Sequence, residues 1–229
     1  MELKKKDTLK ILVISHPNAL YKKFLETIFK NIEIEYVVFH PDNFQPCNLI
    51  LLTGGADVNP RLYKQPVGQY TFINLKRDEL ENLLVTRYDS TPKLGICRGA
   101  QFLTVMSGGK LIQHVNGHNN THTIQTGFDM PAGHFKSYVM SSSHHQMMYP
   151  YNLKENRFNI LAWSEYYHST TYLDGKDKEI NIAEDFLECE IVHYKNTNSL
   201  CIQGHPEYSG VPTETVKLVK KLINEFLIK

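Results

Sequence analysis

Along this chain, short unbroken apolar runs alternate with stretches in which apolar residues recur every three or four positions, the pattern of buried strands separated by one-sided helices. Lys10 to Ser15, Glu35 to Phe39, Leu49 to Thr53 and Lys93 to Ile96 read as strands. Between them, Asn18 to Asn31 carries Leu20, Phe24, Leu25, Ile28 and Phe29 on one side, and Arg77 to Ser90 reads as a second helix. Gln101 to Ser107 predicts a third, which Gly108 can end in a left-handed cap. Thr215 to Ile228 predicts the last, its Val216, Val219, Leu222, Ile223, Phe226 and Leu227 forming a broad face that packs on the sheet. The middle is less regular: Gly117 to Gly133 reads as a loop or short hairpin, and Tyr166 to Asp177 as a polar, aromatic loop. Val139, Ile160 to Trp163 and Cys189 to His193 look like short strands. This alternation predicts an α/β fold with a mostly parallel central sheet, helices on both faces and ligands at the carboxyl ends of the strands. For 229 residues, one domain spanning 1–229 is expected.

Gly95-Ile96-Cys97-Arg98-Gly99-Ala100-Gln101 puts a cysteine at the tip of one such strand, with a helical run after it. A sharp strand-to-helix turn needs glycines where side chains would collide, and it leaves the central side chain exposed over the sheet edge. The positive end of the following helix favours thiolate, and the Arg98 charge would add to that field. The other reading of Cys97 is a small buried hydrophobe, as most free cysteines are. Ser199 to Glu207 reads as a strand delivering His205 and Glu207 on the same side, two residues apart across Pro206. A histidine that takes a proton from a cysteine, with a carboxylate fixing its tautomer, is the arrangement used for thiol acyl transfer. Taken singly, His205 would be an ordinary core or surface histidine and Glu207 a solvated charge; the Cys97 turn favours the catalytic reading. Asn48 to Pro60 runs from an apolar strand into Gly54-Gly55. The amides of Gly55 and Arg98 can form an oxyanion hole, although a lone Gly-Gly is more often a strand-ending turn.

In this order, the three pieces resemble the class I glutamine amidotransferase superfamily, with its flavodoxin-like fold. The nearer resemblance is to its peptidase C26 branch, of the gamma-glutamyl-gamma-aminobutyrate hydrolase type. It is carried by Gly54 to Pro60 with Tyr63, by Arg77-Asp78 with Glu81, by the Cys97 turn through Gly108-Gly109 and Leu111, by Ser142 to Gln146, and by Gln203 to Glu207. The resemblance implies hydrolysis of a gamma-glutamyl amide through a glutamyl thioester on Cys97, with His205 as general base and acid and Glu207 orienting it. It also implies that Gln101, Ser142, Ser143, His144, His145 and Gln146 hold the amino and carboxylate groups of the glutamyl moiety, and that Glu188 lies near the site. Three positions depart from the family pattern. Gly204 replaces an aromatic residue and would loosen the pocket beside His205, Ser141 replaces an asparagine, and so does Thr104. The alternative function is a glutaminase subunit passing ammonia to a separate synthetase; a third reading is a non-catalytic scaffold.

Composition narrows the partners. A net charge of +1 provides no field for nucleic acid, and the Lys4 to Lys6 run is short and expected to be solvated. The N-terminal residues hold neither a signal-peptide core nor a membrane span, so a cytoplasmic protein without membrane attachment is expected. Cys47, Cys97, Cys189 and Cys201 suggest neither a disulfide framework nor a zinc ribbon. His114, His118 and His122 recur every four residues, but Gly117, Asn119 and Asn120 break the helix that would align them, so no metal or other cofactor is expected. The expected partner is a small gamma-glutamyl substrate, with a homodimer as the base-rate assembly.

Overall fold

The structure, a computed structural model, describes residues 8–183 and 185–228, so the Lys4 to Lys6 run lies outside the described residues. Its strands are β1 (Thr8–Val13), β2 (Glu33–Val38), β3 (Leu49–Leu52), β4 (Lys93–Ile96), β5 (Lys110–Ile112), β6 (His114–Val115), β7 (His122–Thr126), β8 (Lys136–Met140), β9 (Met147–Tyr149), β10 (Phe158–Ser164), β11 (Tyr172–Leu173), β12 (Cys189–Tyr194) and β13 (Ser199–Ile202). Four helices, α1 (Ala19–Ile28), α2 (Leu75–Arg87), α3 (Arg98–Met106) and α4 (Thr213–Phe226), accompany them.

Nine strands form one sheet in the order β2-β1-β3-β4-β13-β12-β10-β7-β8. The first five are mutually parallel. From β13 onward each neighbour is antiparallel, so the expected parallel sheet is extended by an antiparallel wing. The central strands β3, β4 and β13 are buried at every position; β3 is an unbroken apolar run, while β4 and β13 open with the buried polar residues Lys93 and Ser199. One face of the sheet packs against α1 and α4 through Phe24, Leu25, Leu218, Val219 and Leu222. The other packs against α2 and α3 through Leu84, Val85, Phe102 and Leu103. Asn18 starts α1 by accepting from the Leu20 and Tyr21 amides, and Asn74 starts α2 by accepting from Arg77. No described helix is long and apolar enough to cross a membrane.

Helix α3 begins at Arg98, three residues earlier than its apolar pattern suggests, because Gly99 and Ala100 pack directly on the sheet. A Cβ at Gly99 would strike the main chain of Leu52, and one at Gly95 would lie 2.6 Å from the Gly99 carbonyl oxygen. These two glycines set how closely helix and sheet approach. Gly99→Ala should therefore destabilise the fold by about 1–3 kcal/mol through overpacking, measured as a lower urea midpoint with an unchanged m-value.

Candidate active site

Four adjacent parallel strands, β1, β3, β4 and β13, end on the same edge of the sheet. At the end of β4, Cys97 has φ 52° and ψ −112°, a conformation L-residues rarely adopt. It is held there by its amide donating to Ile202 O at 2.7 Å and by its carbonyl accepting from Gln101 N at 3.1 Å. Beyond the end of β13, the His205 amide donates to Ser141 O at 2.7 Å. The imidazole Nδ1 lies 2.7 Å from Glu207 Oε1, and the ring stacks on Tyr208 at 4.2 Å. Gly54 leaves the space into which both side chains reach: a Cβ there would sit 3.3 Å from His205 Cε1 and 3.7 Å from Cys97 Cβ.

Electrostatics bias this pair. Burial alone would lower His205, but its interactions with the Cys97 sulfur and Glu207 outweigh that and hold it up to about 10. Burial and the Glu207 charge push the Tyr21 hydroxyl up, so it stays protonated while accepting the Gly54 amide at 3.0 Å. Arg77 fixes the same turn from the other side, donating to Gly54 O at 2.9 Å and Thr53 O at 2.8 Å.

Two cavities meet at Cys97. The smaller, about 210 Å³, is lined by Gly55, Arg98, Gln101, Ser143, His144, His145 and Gln146, among others. The larger, about 470 Å³, holds His205, Glu207, Tyr208 and Tyr21, and it too reaches Gly55 and Ser143. Of the expected substrate-binding set, only Ser142 lines neither; it is buried behind its neighbours. Gln101 donates to Gln146 O at 2.9 Å and His144 Nδ1 donates to the same oxygen at 2.9 Å, so both brace the Gln146 backbone. His145 pairs with Asp57 at 3.1 Å. Burial, then His118, drives His144 well below the usual imidazole range, so it is neutral.

Three expectations are corrected. The Arg98 guanidinium adds no free charge beside Cys97: it is buried in ion pairs with Asp78 and Glu81 and donates to Ala56 O at 3.1 Å. Gly204 does not loosen the pocket, because Met140 occupies the space a side chain would take and Ser141 O lies 2.8 Å from the Cβ position. The histidines need no helix to meet. His118 and His122 come together with Glu190 across a turn and two strands, while His114 stacks on Tyr70 at 4.1 Å. Glu188 lies behind the pocket wall, accepting from the His168 and Ser169 amides and from Tyr172. Thr104, at one departing position, is satisfied internally by Ala100 O and Tyr194. Tyr21, Tyr208 and the Asp78–Glu81 pair were not assigned to the site from sequence. Asp78 and Glu81 entered only through the family resemblance, and no local pattern marks Tyr21 or Tyr208.

The fold is that of class I glutamine amidotransferases. Over 93% of this chain and 91% of the other, it superposes on a Thermoplasma acidophilum protein assigned as part of a GMP synthase, with a TM-score of 0.58 at 15% identity. A chain of PurLQS from Thermotoga maritima gives 0.52 at 15% identity, covering 95% of this chain and 98% of that one. In sequence, residues 42–207 match the model of the peptidase C26 family, to which the chain belongs. Among its relatives, the glutamine amidotransferase-like protein YvdE of Lactococcus lactis subsp. lactis is 32% identical over 77% of this chain and 72% of its own length. A glutamine amidotransferase-like protein of Rickettsia prowazekii is 25% identical over 76% and 75%. Membership places the protein among cysteine-type hydrolases of C–N bonds.

Three outcomes follow from the site's electrostatics. Because Glu207 helps to raise His205, Glu207→Gln should move the imidazole titration, followed by NMR, from near pH 10 towards the ordinary histidine value. A raised histidine stabilises the fold fully below its unfolded value and loses that contribution as pH rises through the folded one, so this part of the stability should fade towards pH 10. Arg98→Met leaves buried Asp78 without its ion-pair partner and Glu81 with Arg77 alone, and should lower stability by about 3–5 kcal/mol, read as a fall in melting temperature.

Proposed function

We propose that the protein hydrolyses the gamma-glutamyl amide bond of a small molecule, releasing glutamate and an amine or amidate. The observation that carries this reading is the strained Cys97 turn standing between two cavities, one next to Gln146 and His144 and the other containing His205. The glutamyl group occupies the smaller. There, Gln146 Oε1 is buried without a partner and suits the alpha-ammonium group, while neutral His144 has its Nε2 lone pair free. The larger takes the amine, and its volume of about 470 Å³ leaves room for more than ammonia, which favours a hydrolase over an ammonia-delivering subunit.

In this reading the Cys97 thiolate attacks the gamma-carbonyl carbon. The oxygen takes the charge and meets the amides of Gly55 and Arg98. His205, protonated and steadied by Glu207, gives its proton to the departing nitrogen, and the C–N bond breaks to leave a glutamyl thioester. His205 then accepts a proton from water as that water attacks the thioester. Glutamate leaves, and the sulfur–imidazolium pair is restored. Every atom of water is accounted for, as hydroxyl on glutamate and hydrogen on the amine.

Release of glutamate from a panel of gamma-glutamyl amines, amino acids and polyglutamates, with glutamine included, should identify at least one substrate. Cys97→Ala should abolish turnover, and His205→Ala should lower it by about 10²–10⁴-fold. Release of glutamate only from glutamine, and only with a second protein added, would instead support the ammonia-delivering role.

A further inference from the structure

Behind His144, one layer away from the Cys97 cavity, lies a cluster of titratable side chains that the proposed reaction does not use. His118 follows β6, His122 opens β7, and Glu188 and Glu190 flank Cys189 at the start of β12. All four are buried, His118 completely. His122 Nε2 lies 2.9 Å from Glu190 Oε1, and His118 Nδ1 lies 3.7 Å from the same oxygen. Neither nitrogen of His118 makes a hydrogen bond, and Glu190 Oε2 has none either. Buried polar atoms rarely stay unpaired, and two buried carboxylates side by side call for a compensating positive charge.

We propose that His118, His122 and Glu190 bind one divalent transition-metal ion, zinc being the best fit to the donors. One ligand atom from each lies within 4.8 Å of the others. Around a tetrahedral zinc with bonds of about 2.0–2.1 Å, ligand atoms stand about 3.4 Å apart. The observed separations of 2.9 and 3.7 Å bracket that spacing, so small side-chain rotations admit the ion. Glu188 completes the logic. Held by the amides of His168 and Ser169 and by the Tyr172 hydroxyl, it faces His118 Nε2 at 3.4 Å. A carboxylate on that side keeps the proton on Nε2 and leaves the Nδ1 lone pair for metal, the arrangement that orients metal-binding histidines. His168, its Nε2 buried without a partner and its ring 4.6 Å from His122, stands beside the cluster but outside the three converging ligand atoms. Imidazole donors with one carboxylate select zinc, cobalt or nickel over magnesium and calcium, which take oxygen sets.

The site is structural. It pins the turn carrying His118 to β7 and β12. The main chain of His118 in turn accepts the His144 amide at 3.0 Å, and the two rings stack at 4.6 Å. The ion thus stiffens the wall of the Cys97 cavity without reaching the reacting atoms.

Untagged protein, stripped with chelator and titrated with Co²⁺, should develop the visible bands of tetrahedral cobalt up to one equivalent, and Zn²⁺ should displace them. His122→Ala and Glu190→Gln should abolish the bands; Glu188→Gln should weaken binding about 10–100-fold. His114→Ala, outside the cluster, should change nothing. Circular dichroism of each variant separates loss of ligand from loss of fold. A folded wild-type protein that takes up neither Co²⁺ nor Zn²⁺ overturns the proposal. So does stoichiometric binding that survives both His122→Ala and Glu190→Gln.

Discussion

The site rests on one backbone conformation, the left-handed turn at Cys97 between a fully buried strand and the helix that follows it. Strain of that kind costs on the order of 1–3 kcal/mol and persists only where the surroundings over-determine it. Here they do. Glycines at 95 and 99 let the helix sit against the sheet, and β13 on one side accepts the Cys97 amide. β3 on the other side ends in the Gly54-Gly55 turn that Arg77 and Tyr21 fix. Because β13 is the parallel neighbour of β4, the residues that follow it reach the same edge of the sheet, and His205 arrives beside the sulfur.

Charge is arranged around that turn rather than spread along it. Arg98 looks in the sequence like a source of positive field for the thiol, yet its guanidinium is spent on Asp78 and Glu81. Its structural effect is to lock α2 against the first turn of α3. The positive charge beside the sulfur comes instead from His205, which holds its proton far above the ordinary histidine value because Cys97 and Glu207 both interact with it. Tyr208 covers the ring, and the protonated Tyr21 hydroxyl stands beside Glu207.

How much of this was legible follows from how local each signal is. The strands 49–52 and 93–96 and the helices beginning at Ala19 and Thr213 announce themselves, because burial on both faces or on one stripe writes an apolar pattern into consecutive residues. Cys97, His205 and Glu207 are equally local, each set off by glycine or proline. The two-strand pairing of β5 with β9 is invisible in sequence, since three residues on each side gain meaning only from their partner. Met140 filling the space at Gly204 is likewise a contact between distant segments. His122 and Glu190 stand 68 residues apart, and what brings them together is the pairing of distant segments, which a four-residue spacing of histidines does not encode.

The central claim is that Cys97 becomes acylated by the glutamyl group. Acid-quenched mixtures of the protein with each gamma-glutamyl compound, digested and analysed by mass spectrometry, test it directly. The account predicts a glutamyl mass increment on the peptide carrying Cys97, accumulating with the substrate that turns over and absent from Cys97→Ala. Glutamate release that continues in Cys97→Ala, or the absence of both adduct and release with every compound, would contradict it.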